Sequence, residues 1–239
     1  MRIRECTMKK SLLAAAVIVL GGAANPASAE LFTDPSAKSA AGKFRGSAYF
    51  GTSTVEYKNK DTAGKGDVDR TFLGISGAFG INDAVDAYAS FALITKAETE
   101  DYPDDDTGTA IAFGIKGVLP IQGDVKLHGY AQYLMIDEDY GSAYFSTLSA
   151  EETLISLGVV AAKEVENITL YGGAELALSS DAEGTQNFTT GGTRKYDVER
   201  NDMLGVRAGA RINAGQVDID IGLALVHETN FTIGVSKSF

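Results

Sequence analysis

The chemistry open to this chain rests on a short set of charged residues at alternate positions in apolar-patterned segments: Lys116, Lys126, His128, Glu175, Arg207, Arg211, Asp218 and Asp220. Arg207 and Arg211 precede a turn-forming run at 213–216, and Asp218 and Asp220 follow it. A tight turn there would set Arg211 directly opposite Asp218 and Arg207 diagonal to Asp220, because facing residues on paired strands lie within side-chain reach. Such a row is either an ion-pair ladder that fixes register or a lining that selects ions. Lys116, Lys126 and His128 flank one short turn and would gather without an acid of their own, so they need Glu175, Asp86 or an anion from solution. That makes them the best candidates for contact with a solute. The acidic run at 98–106 lacks the glycine and ligand spacing of a calcium loop, so no metal site is assigned.

These positions matter only if regular elements present them on one face, and the ends of the chain narrow the choice of elements. Lys9 and Lys10 precede an apolar run from Ser11 to Leu20, and Ala27-Ser28-Ala29 follows: the pattern of a secretory signal over residues 1–29. The one cysteine, Cys6, lies before the apolar run, which excludes disulfides and thiolate metal sites from the mature chain. Residues 1–29 hold four basic residues and one acid, so cleavage takes the net charge from -11 to -14. An acidic chain of this kind is a poor nucleic-acid binder. Past Leu20 no run approaches the roughly 18 apolar residues that a spanning helix needs.

Period-2 alternation decides what remains. Leu73, Ile75 and Phe79; Val85, Ala89, Phe91 and Leu93; Ile111, Phe113 and Ile115; and Val125, Leu127, Tyr133 and Met135 each form an apolar parity. The second half repeats the pattern with Ile155, Leu157 and Val159; Ile168, Leu170 and Leu176; Leu204, Val206 and Ile212; and Val217 to Leu225. No charge falls on that parity in any of these eight segments, as expected where one face meets lipid and a charge costs ~2–4 kcal/mol. The opposite parity is rich in Gly, Ser, Ala and Tyr with sparse charges of both signs, which suits the inside of a narrow barrel. Short turns at 82–83, 120–124, 165–167 and 213–216 alternate with longer polar stretches at 58–67, 97–108, 137–151 and 179–201. The expected fold is therefore all-β: an antiparallel up-and-down transmembrane β-barrel of ten strands, with eight or twelve left open by the first strand and the short last loop. Its parts are the signal at 1–29, a short periplasmic segment at 30–42 that is too short for a plug, and the barrel at 43–239.

The last strand alternates Phe231, Ile233 and Val235 and ends on Phe239. With the signal, the alternating segments and the turn rhythm, it makes the mature chain resemble bacterial outer-membrane β-barrel proteins of the small porin-like or opacity-protein-like kind. That resemblance implies an outer-membrane location, contact with lipid and lipopolysaccharide, and recognition of Phe231, Ile233, Val235 and Phe239 by the barrel-assembly machinery. Lys237 departs from the usual apolar residue, and near an interface it can snorkel. The resemblance implies no cofactor. Three functions fit it: a narrow porin-like channel for small polar solutes, a non-conducting surface or envelope-integrity barrel acting through acidic external loops, and, more remotely, an outer-membrane hydrolase. Barrel hydrolases place a histidine with a serine or acids at the external rim. Here His128 lies by a periplasmic turn, and Leu225 stands where an Asp-x-His pair with His227 would put its acid, so no catalytic residue is assigned. If the lumen conducts, Lys116→Gln with Lys126→Gln should lower anion preference in reversal-potential measurements; unchanged selectivity in a conducting variant would remove the role given to these lysines.

Overall fold

Strands with one apolar parity pair edge to edge until no backbone group is left open to lipid, and this chain reaches that state by closing on itself. The computed structural model describes residues 34–60, 65–99, 102–119, 123–140, 145–188, 191–201, 203–226 and 228–239. The strands are β1 (Phe44–Asn59), β2 (Lys65–Gly80), β3 (Val85–Thr99), β4 (Tyr102–Leu119), β5 (Val125–Tyr140), β6 (Phe145–Val165), β7 (Ile168–Phe188), β8 (Thr193–Arg200), β9 (Leu204–Asn213), β10 (Asp218–Val226) and β11 (Glu228–Ser238). Each pairs antiparallel with its neighbours, and β11 returns to β1. β8 and β9 run one after the other along the same edge of β7, so the eleven segments make a wall of ten strands.

The wall changes strand number with height. Through the lower part β1 pairs with β11, from Arg45↔Ser238 to Val55↔Glu228. Just above, it pairs with β8 instead, from Tyr57↔Arg200 to Asn59↔Val198. The Asn201 N–H donates to the Glu56 carbonyl at 3.0 Å and the Lys60 N–H to that of Asp197 at 3.1 Å, so the seam has no gap. The β10–β11 hairpin ends below this contact, leaving a crown of eight strands above a body of ten.

Every apolar parity read from the sequence faces outward. Ile75, Ile115 and Leu204 are 61%, 54% and 57% exposed, and comparable residues ring the body on all sides. A belt of this kind is stable only against an apolar medium. The C-terminal Phe231, Ile233, Val235 and Phe239 belong to it, and Lys237 sits over the Phe239 ring at 5.6 Å, at the lower edge.

The turns at the chain-terminus end are tight. At 82–84, the Ala84 and Val85 N–H groups donate to Asn82 Oδ1 at 2.7 and 2.9 Å. Glu166 takes a positive φ of 59° in the two-residue turn between β6 and β7, a conformation that hairpin turns of the primed type require.

Three sequence expectations need correction. The stretches expected as long external loops are mostly strand: β5 runs to Tyr140, β6 starts at Phe145, and β7 and β8 meet across 189–192. Above the belt both faces meet water, so the alternation fades while pairing continues. The acidic run falls partly on β3 and β4, where Ala97 pairs with Asp106; residues 100–101 lie outside the described set. The β9–β10 register differs by two residues, because the connection has four residues between Asn213 and Asp218, with Asn213 Oδ1 accepting from the Gly215 N–H. Arg211 therefore opposes Asp220 rather than Asp218, and Arg207 opposes Ala224. Finally, residues 34–41 form a plug inside the lower opening: Asp34, Ser36, Ala37 and Ser39 are buried, and Ala41 bridges to Gly80. So short a segment suffices because the barrel is narrow.

Ile75→Arg places a charge in the middle of the belt and should reduce folding stability in bilayers by ~2–4 kcal/mol, read by urea titration in vesicles. An unchanged midpoint would mean that this face does not meet lipid.

Candidate functional site

Inward side chains fill the lumen in layers. Tyrosines on one strand lie across glycines directly opposite on the next: Tyr49 over Gly74, Tyr88 over Gly114, Tyr130 over Gly158 and Tyr171 over Gly209. A Cβ at Gly158 would overlap the Tyr130 ring, so the glycine is what lets the ring lie flat against the wall. Above these, Phe72, Ile94, Leu134, Ile136 and Leu154 form an apolar layer, with Leu134 and Leu154 facing each other and fully buried. The layer separates two polar regions.

The upper region lies in the crown. Arg70 on β2 reaches across the barrel to Glu138 on β5, with Nε to Oε1 at 2.6 Å and Nη2 to Oε2 at 2.7 Å. Arg200 on β8 pairs with Glu152 on β6 through Nε and Nη2. The Tyr57 hydroxyl joins the two pairs, donating to Glu152 Oε2 and accepting from Arg70 Nη2 at 2.9 Å; the Tyr140 hydroxyl donates to Glu138 at 2.8 Å. These groups are almost wholly buried yet sit above the belt, level with outward-facing Glu56, Asp69, Asp137 and Glu151. Burial pushes the Glu152 carboxyl upward, but the Arg200 charge and hydrogen bond, with Arg70 and Tyr57, outweigh it and hold the group at about 2. Burial raises both tyrosine hydroxyls above their ordinary value. Over this network is a cavity of about 280 Å³ open to the external side.

The lower region holds the sequence-identified residues, divided by the plug. Arg211 Nη1 pairs with Asp34 Oδ2 at 2.7 Å, and Lys116 Nζ donates to the Asp34 carbonyl at 3.3 Å. The Ser39 N–H donates to Asp86 Oδ2 at 2.7 Å, and Lys38 lies 3.9 Å from the same carboxylate. Lys126 and His128 line a vestibule of about 760 Å³ below the plug, together with Arg211 and Asp218. Lys116 lies instead in a small enclosed space with Asp34, Arg45 and Asp220. Lys116 and His128 are diagonal neighbours on the inner face of β4 and β5, with Lys126 next along that face of β5, so the expected basic group is brought together; the acid that meets Lys116 comes from the plug as well as from Asp86, its cross-strand neighbour. Asp218 pairs with Arg45 at 2.9 Å, Asp220 accepts from the Ser236 hydroxyl at 2.6 Å, and Arg207 lies 3.5 Å from Glu175. His227 is outside the described residues.

Arg70, Glu138, Glu152 and Arg200 do not stand out in the sequence. Continuing the inward parity Leu134, Ile136, Glu138 past the belt would have found Glu138, but nothing local tells that it meets Arg70.

No family profile matches the chain, and no curated protein is detectably similar to it. Among solved structures it is similar to the outer membrane protease OmpT from Escherichia coli, with a TM-score of 0.53 at 9% identity, over 86% of this chain and 100% of that one. It also aligns with the translocator domain of autotransporter NalP from Neisseria meningitidis at TM-score 0.46 and 12% identity, over 98% of this chain and 95% of that one. Neisserial surface protein A aligns at TM-score 0.39 and 14% identity, over 82% and 97%. The closed ten-strand wall, its apolar belt and the likeness to OmpT define the fold: a closed antiparallel β-barrel of the kind found in bacterial outer membranes.

The Glu152 carboxyl lies below its ordinary value, so its contribution to the crown is complete above about pH 4.5 and is lost as the pH falls toward 2. Amide protection in the upper parts of β6 and β8 should drop over that interval while the belt strands stay protected. Undiminished protection of the crown near pH 2 would refute the assignment.

Proposed function

We propose that this protein is a non-conducting barrel of the outer membrane that acts at its external face. The observation that carries this reading is the filled lumen: Val55, Leu134, Leu154 and Val160 are fully buried inward-facing side chains, with a plug below them and two buried Arg–Glu pairs above. Removing one member of a buried pair costs ~3–5 kcal/mol, so the seal is not a structure that a passing ion rearranges.

The outer surface of the crown supports the same reading. Asp137, Glu151, Glu183 and Asp197 stand directly opposite one another across β5, β6, β7 and β8, all exposed. Like charges in facing positions repel. Lys195 pairs with Glu183, and divalent cations shared with lipopolysaccharide phosphates would relieve the rest, in keeping with a role in surface interaction or envelope integrity. Lipid at the belt and the assembly machinery at the terminal strand are the other partners of this reading, and it assigns no cofactor and no catalytic step.

The alternative, a narrow channel for small polar solutes, draws on the vestibule with Lys126, His128 and Arg211. It requires both the plug and the apolar layer to move aside. Planar-bilayer recording separates the two. Refolded protein with intact heat-modifiable mobility should be electrically silent, and removal of residues 30–41 alone should leave it so, because the apolar layer remains. Discrete conductance steps from the intact protein would overturn the reading.

A further inference from the structure

Below the plug the lumen is open, and the vestibule of about 760 Å³ there falls within the size range of small-ligand sites. The plug crosses from Arg211 on β9 to Lys116, Asp86 and Gly80 on β4, β3 and β2. The space it leaves lies mainly against β5, β6 and β7.

The charges around this space are sorted by depth. Three of its cations are already held: Arg211 by Asp34, Arg45 by Asp218 and Lys38 by Asp86. Lys126 is exposed and makes no hydrogen bond or ion pair among the described residues. Next inward on the same face of β5, His128 is 6% exposed, yet its ring nitrogens have no hydrogen-bond partner among the described residues. Unlike orphaned atoms deeper in the lumen, such as Gln132 Nε2, they keep accessible area, and the ring lines the vestibule. A buried polar ring aimed into open space calls for a polar partner there.

At the mouth the sign reverses. Asp124 stands two positions before Lys126 on β5, and Glu164 is two positions nearer the turn than Ala162, which faces Lys126. Glu166 is in the turn itself. These carboxylates are exposed, line the vestibule and have no ion-pair partner among the described residues, with Lys163 as the cation beside them. A free anion would have to pass the carboxylates, and a free cation would meet Lys126 and Arg211. A ligand carrying both charges meets each with its opposite. Two positions along a strand correspond to ~5 Å of depth, from a rise of ~3.3 Å per residue and a tilt of about 40°. That separation exceeds the ammonium-to-carboxylate span of an α-amino acid. The inner end must also take Lys126 and His128 together, which a phosphate does with its several acceptor oxygens.

We propose that the lower vestibule binds a small dipolar phosphate ester, its phosphate on Lys126 and His128 and its primary ammonium among Asp124, Glu164 and Glu166. A soluble ester and a lipid headgroup offer the same chemistry, and the test tells them apart. The site goes beyond the external role proposed above and shares with it only the plug, which forms its roof.

The test uses the full mature chain with His227→Gln in phosphatidylcholine nanodiscs, grown on isotope-labelled histidine so that NMR observes His128 alone. O-phosphoethanolamine should move the ring signals saturably, and glycine and inorganic phosphate should each bind at least about tenfold more weakly. Lys126→Gln should weaken O-phosphoethanolamine by about tenfold. Asp124→Asn with Glu164→Gln should weaken it similarly while strengthening inorganic phosphate, a crossover that general loss of structure does not produce. All three substitutions fall on exposed side chains without ion pairs, and heat-modifiable mobility checks that the barrel is folded. Nanodiscs containing phosphatidylethanolamine separate the sources: signals already shifted before any solute is added assign the lipid headgroup, and a shift only on addition assigns the soluble ester. Ring signals that respond to neither source, an equal response to glycine or inorganic phosphate, or no effect of Lys126→Gln would overturn the proposal. Bilayer recording on the same preparation keeps the two ideas apart: silence without binding removes the vestibule site alone, and conductance with binding removes the sealed-barrel reading alone.

Discussion

Hydrocarbon offers no hydrogen bonds, and that one constraint organises this molecule. Each strand in the belt must have both edges paired, so the first strand has to find the last. β1 does so twice, with β11 in the body and with β8 in the crown. Closure then fixes how many strands surround the lumen, how wide it is, and how far inward each side chain reaches. The plug, the tyrosine–glycine pairs and the transluminal ion pairs are all responses to that width. A wider barrel could not be blocked by residues 34–41, and Arg70 could not reach Glu138.

Within that width the interior is built like the core of a soluble protein, and the exterior carries the exposed apolar surface. On β6 the two environments alternate residue by residue: Leu154 is buried against Leu134 of the facing strand, whereas Ile155 and Leu157, on the opposite parity, look outward. The charged groups are governed by the same lack of space. Arg211, Lys116 and Asp86 lie on three different strands, and the plug supplies Asp34 and Ser39 to hold them. The plug thereby supplies partners to charges that the wall brings close together.

How much of this the sequence disclosed follows from where lipid acts. On the belt, lipid removes charge from one parity, and so strand identity, facing and number are legible from residues such as Ile75, Ile115 and Leu204. In the crown water meets the outer face, the contrast between parities weakens, and strands such as β8 read as loop. The register across β9 and β10 departs from expectation by two because turn formers such as Asn213 and Gly215 mark that a turn is present without fixing which residues close it. The plug has no period to detect, and the Arg70–Glu138 pair joins strands that are not neighbours, which alternation along a single strand cannot report. The inward charges can be found in this way, but their partners cannot.

The change from ten strands to eight gives β1 two seams of different kind. Below, it meets a hairpin whose tip stops short; above, it is clasped by β8 through Tyr57, Lys58 and Asn59. If the lower seam parts, the upper clasp still holds β1 to β8, and the two sides of the wall stay joined at the top. The barrel would open there as a slit with a fixed upper end, hinged beneath the crown, rather than unrolling as a sheet.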